Sequence, residues 1–370
     1  MTNTVNTPHS LPINLFEYEQ RAKGHLSQMA FDYYSSGAWD EITLRDNRAA
    51  FERIKLLPRM LVDVSKRDLS VTILGETLQL PILIAPMAFQ CLAHLDGEVA
   101  TARAAASTGT GMILSTMSTK SIEEVATVDN DSSHWFQLYI HKDKGLTRAL
   151  VERAFAAGYK ALCLTVDAPM LGQRERDKRN EFTLPDGLHL ANLTSMSGLD
   201  IPHYSKESGL FAYFAQQLNP AVTWQDLEWL QSLSPLPLVV KGILRADDAV
   251  NAVKCGAKAI IVSNHGGRQL DSAIASIEAL PDVVAAVNNQ AEVLVDGGIR
   301  RGIDILKAIA YGANAVLIGR PILWGLALNG EVGVAHVIQL LRAEFDLAMA
   351  LSGCTCIKDI DSSLLRYKNS

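Results

Sequence analysis

The sequence predicts an α/β chain closed into an eight-stranded parallel barrel, and three observations carry that prediction. Eight short apolar runs recur from residue 81 onward. Amphipathic segments that close on glycine lie between them. Each run ends in polar, charged or glycine residues, which would gather at one end of whatever the runs build. Continuous apolar runs without alternation belong to strands buried on both faces, as in parallel sheets. Strand–helix units repeated eight times make a (β/α)8 TIM barrel. An open, doubly wound sheet is the competing arrangement.

The elements follow in order. Before the repeat, residues 1–80 predict helices at 16–37 and 41–54, then a hairpin at 69–80 that caps the barrel bottom. The eight runs are PILIAPMAF (81–89), GMILSTMS (111–118), HWFQLYI (134–140), ALCLTVDAP (161–169), LPLVVKG (236–242), AIIVSNHGG (259–267), EVLVDGG (292–298) and AVLIGRP (315–321). Helical segments at 96–109, 143–158, 245–256 and 301–312 open on acidic or polar residues and close on Gly, as caps require. A polar stretch from about 170 to 222, including GQRERDKRNEF, interrupts the pattern between strands four and five. So long a loop at the rim of a barrel predicts a lid. The whole chain, 1–370, reads as one domain, with the barrel over 81–352.

Composition narrows the partners. Apolar residues make up 48% and charged residues 20%, as in a globular protein. The net charge of −6 argues against nucleic acid or an anionic membrane surface as partner. The five cysteines are an odd number, and the CTC at 354–356 has no His or Cys cluster beside it, so a metal is not expected and a reducing compartment is. The N-terminus lacks the basic and apolar regions of a secretory signal, and no apolar stretch suggests a membrane span. A cytoplasmic protein is expected.

The chemistry should stand at the C-terminal ends of the strands. There the sequence places Met87 and Ala88, Ser115 and Met117, Gln137 and Tyr139, Thr165 and Asp167 followed by Arg174, Lys241, then Ser263, His265 and Arg268, then Asp296, Gly297, Gly298 and Arg300, and finally Gly319 and Arg320. The paired corners DGGIRRG (296–302) and IGRP (318–321), on the last two strands, point to a bound phosphate. Glycines let backbone N–H groups approach an anion and arginines add bidentate donors. In SNHGGRQLD (263–271), His265 is a candidate general base with Asp167 as partner. Arg268 offers a planar fork for a carboxylate, and the glycines would let substrate approach the backbone. Lys241 ends an apolar run, so it needs an anion nearby: it could form a Schiff base or stabilise negative charge on a cofactor ring.

Together these residues resemble the FMN-dependent (S)-2-hydroxy-acid oxidases. The motifs SNHGGRQLD, DGGIRRG, FQLY (136–139), LTVDAP (164–169), VVKG (239–242) and ALSGC (350–354) all match, over about residues 15–360. The resemblance implies FMN as cofactor and a catalytic group of His265, Asp167, Tyr139 and Tyr33. It implies substrate contacts from Tyr33, Tyr139, Arg174, His265 and Arg268, with Met87 and Met117 beside them. Cofactor contacts are implied for Met87, Ala88, Ser115, Gln137, Tyr139, Thr165, Lys241 and Ser263. A ribityl-phosphate site is implied at Asp296, Gly297, Gly298, Arg300, Gly319 and Arg320. A homotetramer is implied as well. Plant glycolate oxidases carry Thr and Trp where this chain has Met87 and Met117, which makes L-lactate, with O2 as acceptor, the expected substrate. Glycolate, or L-lactate with an acceptor other than O2, stays open.

Overall fold

The computed structural model describes residues 11–128, 133–193 and 216–367. The chain starts with three helices, α1 (Leu15–His25), α2 (Gln28–Ser35) and α3 (Ile42–Arg53). The single helix expected at 16–37 is therefore two. The chain turns through an extended Leu26, and the Ser27 side chain caps α2 by accepting from the Ala30 amide. Strand β1 (Ile54–Leu56) follows, and then β2 (Val71–Ile73) and β3 (Glu76–Leu78) form the antiparallel hairpin.

The repeat then unfolds as expected. It runs β4 (Ile82–Ile84), α4 (Gly97–Thr108), β5 (Gly111–Ser115), α5 (Ile122–Ala126), β6 (His134–Leu138), α6 (Lys144–Ala156), β7 (Ala161–Thr165) and α7 (Glu175–Arg179). After α8 (Gln225–Leu233) come β8 (Leu238–Ile243), α9 (Ala246–Lys254), β9 (Ala259–Val262), α10 (Ser276–Val287), β10 (Glu292–Asp296), α11 (Gly302–Ala310), β11 (Ala315–Ile318) and α12 (Arg320–Ser352). Strand β12 (Leu365–Tyr367) returns to pair antiparallel with β1. Strands β4 to β11 close into one barrel, all in parallel pairs, so the fold is the (β/α)8 TIM barrel and not an open sheet. The expected lid, about 170–222, lies partly outside the described residues; α7 is its described beginning.

Side chains alternate between the barrel's inside and the layer under the helices, because successive residues of a strand face opposite ways. Inside, Leu83, Ile113, Trp135, Cys163, Val239, Ile261, Leu294 and Leu317 form one apolar cluster, which Ile73 and Leu78 of the hairpin join. The hairpin thus plugs the bottom, and the Leu74 amide is tied to Glu292 at the start of β10. The alternate residues, such as Ile84, Leu114, Phe136 and Leu164, pack in the outer layer with the helices.

Helix α12 departs from the sequence expectation. It is long and apolar enough to cross a membrane, yet its most apolar window is 67% buried inside the protein. It is also broken at Asn329 and Gly330, whose dihedrals are not helical.

Candidate active site

Two residues beyond that apolar cluster, the same strands present a polar layer. Ser115, Gln137, Thr165, Lys241 and Asp296 follow Ile113, Trp135, Cys163, Val239 and Leu294 at the spacing that returns a side chain to the same face. All five line one cavity at the C-terminal end of the barrel. The register aligns Ser115 with Gln137 and Thr165 with Lys241. Hydrogen bonds run from the Ser115 hydroxyl to Gln137 Oε1 at 3.2 Å and from Gln137 Nε2 to Thr165 Oγ1 at 3.1 Å.

Lys241 is buried, but it is not alone. Its Nζ lies 3.0 Å from Asp296 Oδ2 and donates to Ser263 Oγ at 2.9 Å. Burial would push its pKa down; Asp296 and Asp167 outweigh burial, and the pKa is raised. A fixed ammonium therefore stands inside the barrel mouth. Ser263 is fully buried just behind the cavity wall, and its Oγ also accepts the His265 amide. It braces Lys241 and the His265 turn from behind.

His265 lines the cavity, with Nδ1 2.8 Å from Asp167 Oδ1. Asp167 sits behind the ring, outside the cavity wall. Burial would raise its pKa, but the His265 charge and hydrogen bond, with Lys241, hold it below the ordinary value. An ionised Asp167 keeps the proton on Nδ1 and leaves Nε2 as the basic atom.

The glycines after His265 also relieve close packing, and Gly266 lines the cavity. His265, Gly266 and Gly267 all have positive φ, at 58°, 64° and 74°. A Cβ on Gly267 would stand 2.6 Å from the Leu44 backbone N, and one on Gly266 would stand 2.9 Å from Arg320 Nη1. The turn is glycine-rich because α3 and Arg320 press against it. Asn47 of α3 locks it further: Asn47 and Asn264 exchange amide hydrogen bonds at 2.8 Å, and the Gly267 amide donates to Asn264 Oδ1.

At the outer end, Arg174 and Arg268 flank the ring of buried Tyr33, at 5.7 and 5.0 Å from its centroid. Phe182 stacks on that ring at 4.4 Å. Arg268 Nη1 donates to the Tyr33 and Ser36 carbonyls at 2.6 and 3.0 Å, which fixes the guanidinium. Burial, then the nearby Arg174 charge, lowers Arg268 to about 10. Burial raises Tyr33 and Tyr139, so both phenols stay protonated near neutrality. Met87, Ala88, Met117 and Tyr139 complete this part of the cavity wall.

At the other end, Gly297, Gly298, Arg300, Gly319 and Arg320 line the same cavity. Asp304 Oδ2 accepts the Arg300 and Arg301 amides, and Arg48 of α3 bonds both Asp304 and the Gly298 carbonyl. Arg320 is more committed than expected. Its guanidinium donates to the carbonyls of Tyr34, Gly266 and Ser36 at 2.9, 3.0 and 3.0 Å. Burial, with Arg268 and Arg300, presses it down to about 9, and burial lowers Arg300 too. Crowded, half-buried cations of this kind are relieved by a bound anion.

Of the site residues expected from sequence, all but Asp167 and Ser263 line this one cavity. Sequence reasoning missed the N-terminal contribution: the carbonyls of Tyr33, Tyr34 and Ser36, and Asn47 and Arg48. It also missed Gln269, whose Nε2 holds the carbonyls of Asp167 and Met170 at 3.1 and 2.8 Å. Gln269 stood inside SNHGGRQLD and could have been found there; the carbonyls carry no sequence signal.

The model of the FMN-dependent dehydrogenase family matches residues 22–367. The chain belongs to this family. Among its relatives, the L-lactate oxidase of Nostoc sp. is 75% identical over 97% of this chain and 99% of that protein. The 2-hydroxyacid oxidase 1 of Homo sapiens is 51% identical over 97% of both chains. Glycolate oxidase 3 of Arabidopsis thaliana is 50% identical over 95% of both. The crystal structure of mandelate oxidase with (S)-4-hydroxymandelic acid superposes with a TM-score of 0.91, at 42% identity over 96% of this chain and 98% of that one.

The FMN-dependent family's cofactor fits the cavity on its chemistry. The amide and hydroxyls of Gln137, Ser115 and Thr165 can pair with a polar ring edge, and the Lys241 ammonium can face an anionic one. Asp296 Oδ1 is buried without a hydrogen-bond partner and can accept from a hydroxylated chain. The glycine corners and the pressed-down Arg300 and Arg320 suit a phosphate.

Proposed function

We propose that this chain oxidises L-lactate to pyruvate with FMN and passes the electrons to O2, giving hydrogen peroxide. One observation carries the reading: a single cavity sets the His265–Asp167 pair, buried Arg174 and half-buried Arg268 beside a wall of Met87 and Met117. Its neighbour at 75% identity, an L-lactate oxidase, supports the substrate.

FMN would be held by Ser115, Gln137, Thr165 and Lys241 at its ring and by Asp296, Gly298, Arg300 and Gly319 along its chain and phosphate; bound there, it supplies the two-electron acceptor. Arg174 and Arg268 bind the substrate carboxylate. Bidentate pairing with a guanidinium orients the carboxylate as well as attracting it. The hydroxyls of Tyr33 and Tyr139, protonated at working pH, hydrogen-bond the substrate. His265 Nε2 takes the proton the substrate gives up, and Asp167 stabilises the imidazolium through Nδ1. Lys241 stays charged and balances negative charge arising on the ring side of the cavity. Met87 and Met117 pack against the methyl group that lactate has and glycolate lacks.

The same proposal includes a cytoplasmic homotetramer. All five cysteines are free, which suits a reducing compartment. Exposed Met60, Leu61, Val62 and Leu351, brought close by the bond from the Arg59 amide to the Ser352 carbonyl, offer a surface for self-association.

The test is steady-state turnover with L-lactate, glycolate and D-lactate in air with peroxide detection, then without O2 and with an artificial dye. L-Lactate is expected to exceed glycolate in kcat/KM by about tenfold or more, as one methyl in an apolar pocket allows. D-Lactate should be inactive. Equal or better turnover of glycolate would sink the lactate assignment, and turnover with the dye but not with O2 would sink the oxidase.

A further inference from the structure

Behind Arg174 stands a carboxylate that the mechanism above does not use. Asp177 lies three residues along α7, with Oδ2 3.2 Å from Arg174 Nε. The two side chains are only 6% and 5% exposed. Asp177 does not line the cavity. Neither of its oxygens has a hydrogen-bond partner among the described residues. Its backbone is held, since its carbonyl accepts the Phe182 amide at 2.9 Å.

Burying a carboxylate without hydrogen bonds is costly, and nothing in the local packing requires one. Charge is what remains to hold it. Neighbouring Arg176 is already matched elsewhere. Arg176 pairs with Glu41 at 2.7 Å and approaches Asp32 at 3.8 Å, while Asp32 also accepts from Gln28 and Asn180 at 2.8 Å each. Asp177 is thus left opposite the Arg174–Arg268 pair that brackets Tyr33. Burial raises its pKa, and the charges of Arg174 and Arg268 work against that rise.

We propose that Asp177 sets the charge of the substrate corner: it neutralises one of the two guanidinium groups, so that the corner carries one unmatched positive charge and selects a monocarboxylate over a dicarboxylate. This inference rests on the hydroxy-acid reading of the same cavity. A single substrate carboxylate completes the balance. A second one would be buried in excess, and in a site screened from water an unmatched charge is felt strongly. Asp177 touches neither substrate nor cofactor here; it is a positioning and specificity residue that acts through Arg174.

The test uses the FMN-loaded enzyme and its Asp177→Asn and Asp177→Glu variants. Binding of oxalate, a dianion near neutral pH, and of propionate, a monoanion, is measured by titrating the visible absorbance of the bound flavin. In Asp177→Asn the preference for oxalate over propionate should rise on the order of tenfold, as expected from one uncompensated charge nearby. Asp177→Glu should return it towards the unmodified value. A role confined to structure would weaken both ligands alike and leave their ratio unchanged, and that result overturns the proposal. If Asp177→Asn does not fold, Asp177→Ser is read in the same way. Failure of the unmodified protein to turn over L-lactate strikes the functional reading instead, because the ratio is measured without turnover.

Discussion

At the bottom of the barrel, Leu83, Ile113, Trp135 and Val239 close around Ile73 and Leu78 of the hairpin. Two residues further along the same strands stand Ser115, Gln137 and Lys241, in a cavity that also holds Arg174, Arg268, Arg300 and Arg320. One end buries apolar area; the other crowds like charges whose pKa values are lowered by burial and by one another. The difference teaches a division of labour within single strands. The lower layer supplies stability, which the upper layer spends on groups that no folded chain would keep for packing alone. The N-terminal helices complete the division. The hairpin seals the bottom, while α2 and α3 hold the top by main-chain carbonyls and by the Asn47 and Arg48 side chains.

Breaking the top should remove chemistry and spare the fold. The largest effect is expected for His265→Gln: turnover falls by about 10²- to 10⁴-fold, the range for a positioned general base. FMN stays bound and the unfolding midpoint moves little. Stopped-flow reduction of the flavin by L-lactate checks it, and a variant keeping half its activity removes His265 from the mechanism.

Breaking the bottom should do the reverse. Trp135 is fully buried inside the barrel, and Trp135→Ala should destabilise the protein by about 3–5 kcal/mol, typical of a large core truncation. Urea unfolding reads this, and kcat per folded, flavin-loaded molecule should be close to normal. A loss of kcat with unchanged stability would erase the distinction between the two layers.

Arg320 tests where the two regions meet, since it lines the cavity yet ties Tyr34, Ser36 and Gly266 together. Arg320→Gln should weaken FMN retention and stability together, whereas Arg300→Gln should weaken mainly FMN retention. Each lost charge-assisted bond is worth about 1.5–3 kcal/mol. Dialysis followed by flavin absorbance, set beside thermal unfolding, separates the two. Equal thermal shifts in both variants would contradict the bracing role of Arg320.

The smallest effect concerns the apolar patch inside the polar layer. The Met87→Thr, Met117→Trp double variant should shrink the L-lactate to glycolate ratio of kcat/KM by about tenfold, close to the worth of one buried methyl group with its fit. The two changes need not add, because both residues line one cavity. An unchanged ratio would move the origin of substrate preference elsewhere.

Most of the upper layer was legible because barrel geometry assigns strand ends to one face. Reading His265, Asp167, Lys241 and Arg268 as neighbours needed only the eight runs and their order. Ser263 follows inward Ile261 by two residues, and the sequence could not show that its hydroxyl is the hydrogen-bond acceptor of Lys241. The glycines at 266 and 267 were noticed without their packing partners, since Arg320 and the α3 residue Leu44 that press on them are remote in sequence.

The sequence by itself determined the barrel, its apolar lower layer and the kinds of group at its mouth. These depend on periodicity and residue chemistry, which are local. Tertiary structure alone decided which groups are paired and which are left charged. It set Asp177 behind Arg174 with no hydrogen bond, gave Arg320 three main-chain carbonyls to hold, and brought α3 against the His265 turn. Pairing depends on distances between segments remote in the chain, and burial sets how much each unpaired charge matters. Neither quantity exists until the barrel has closed.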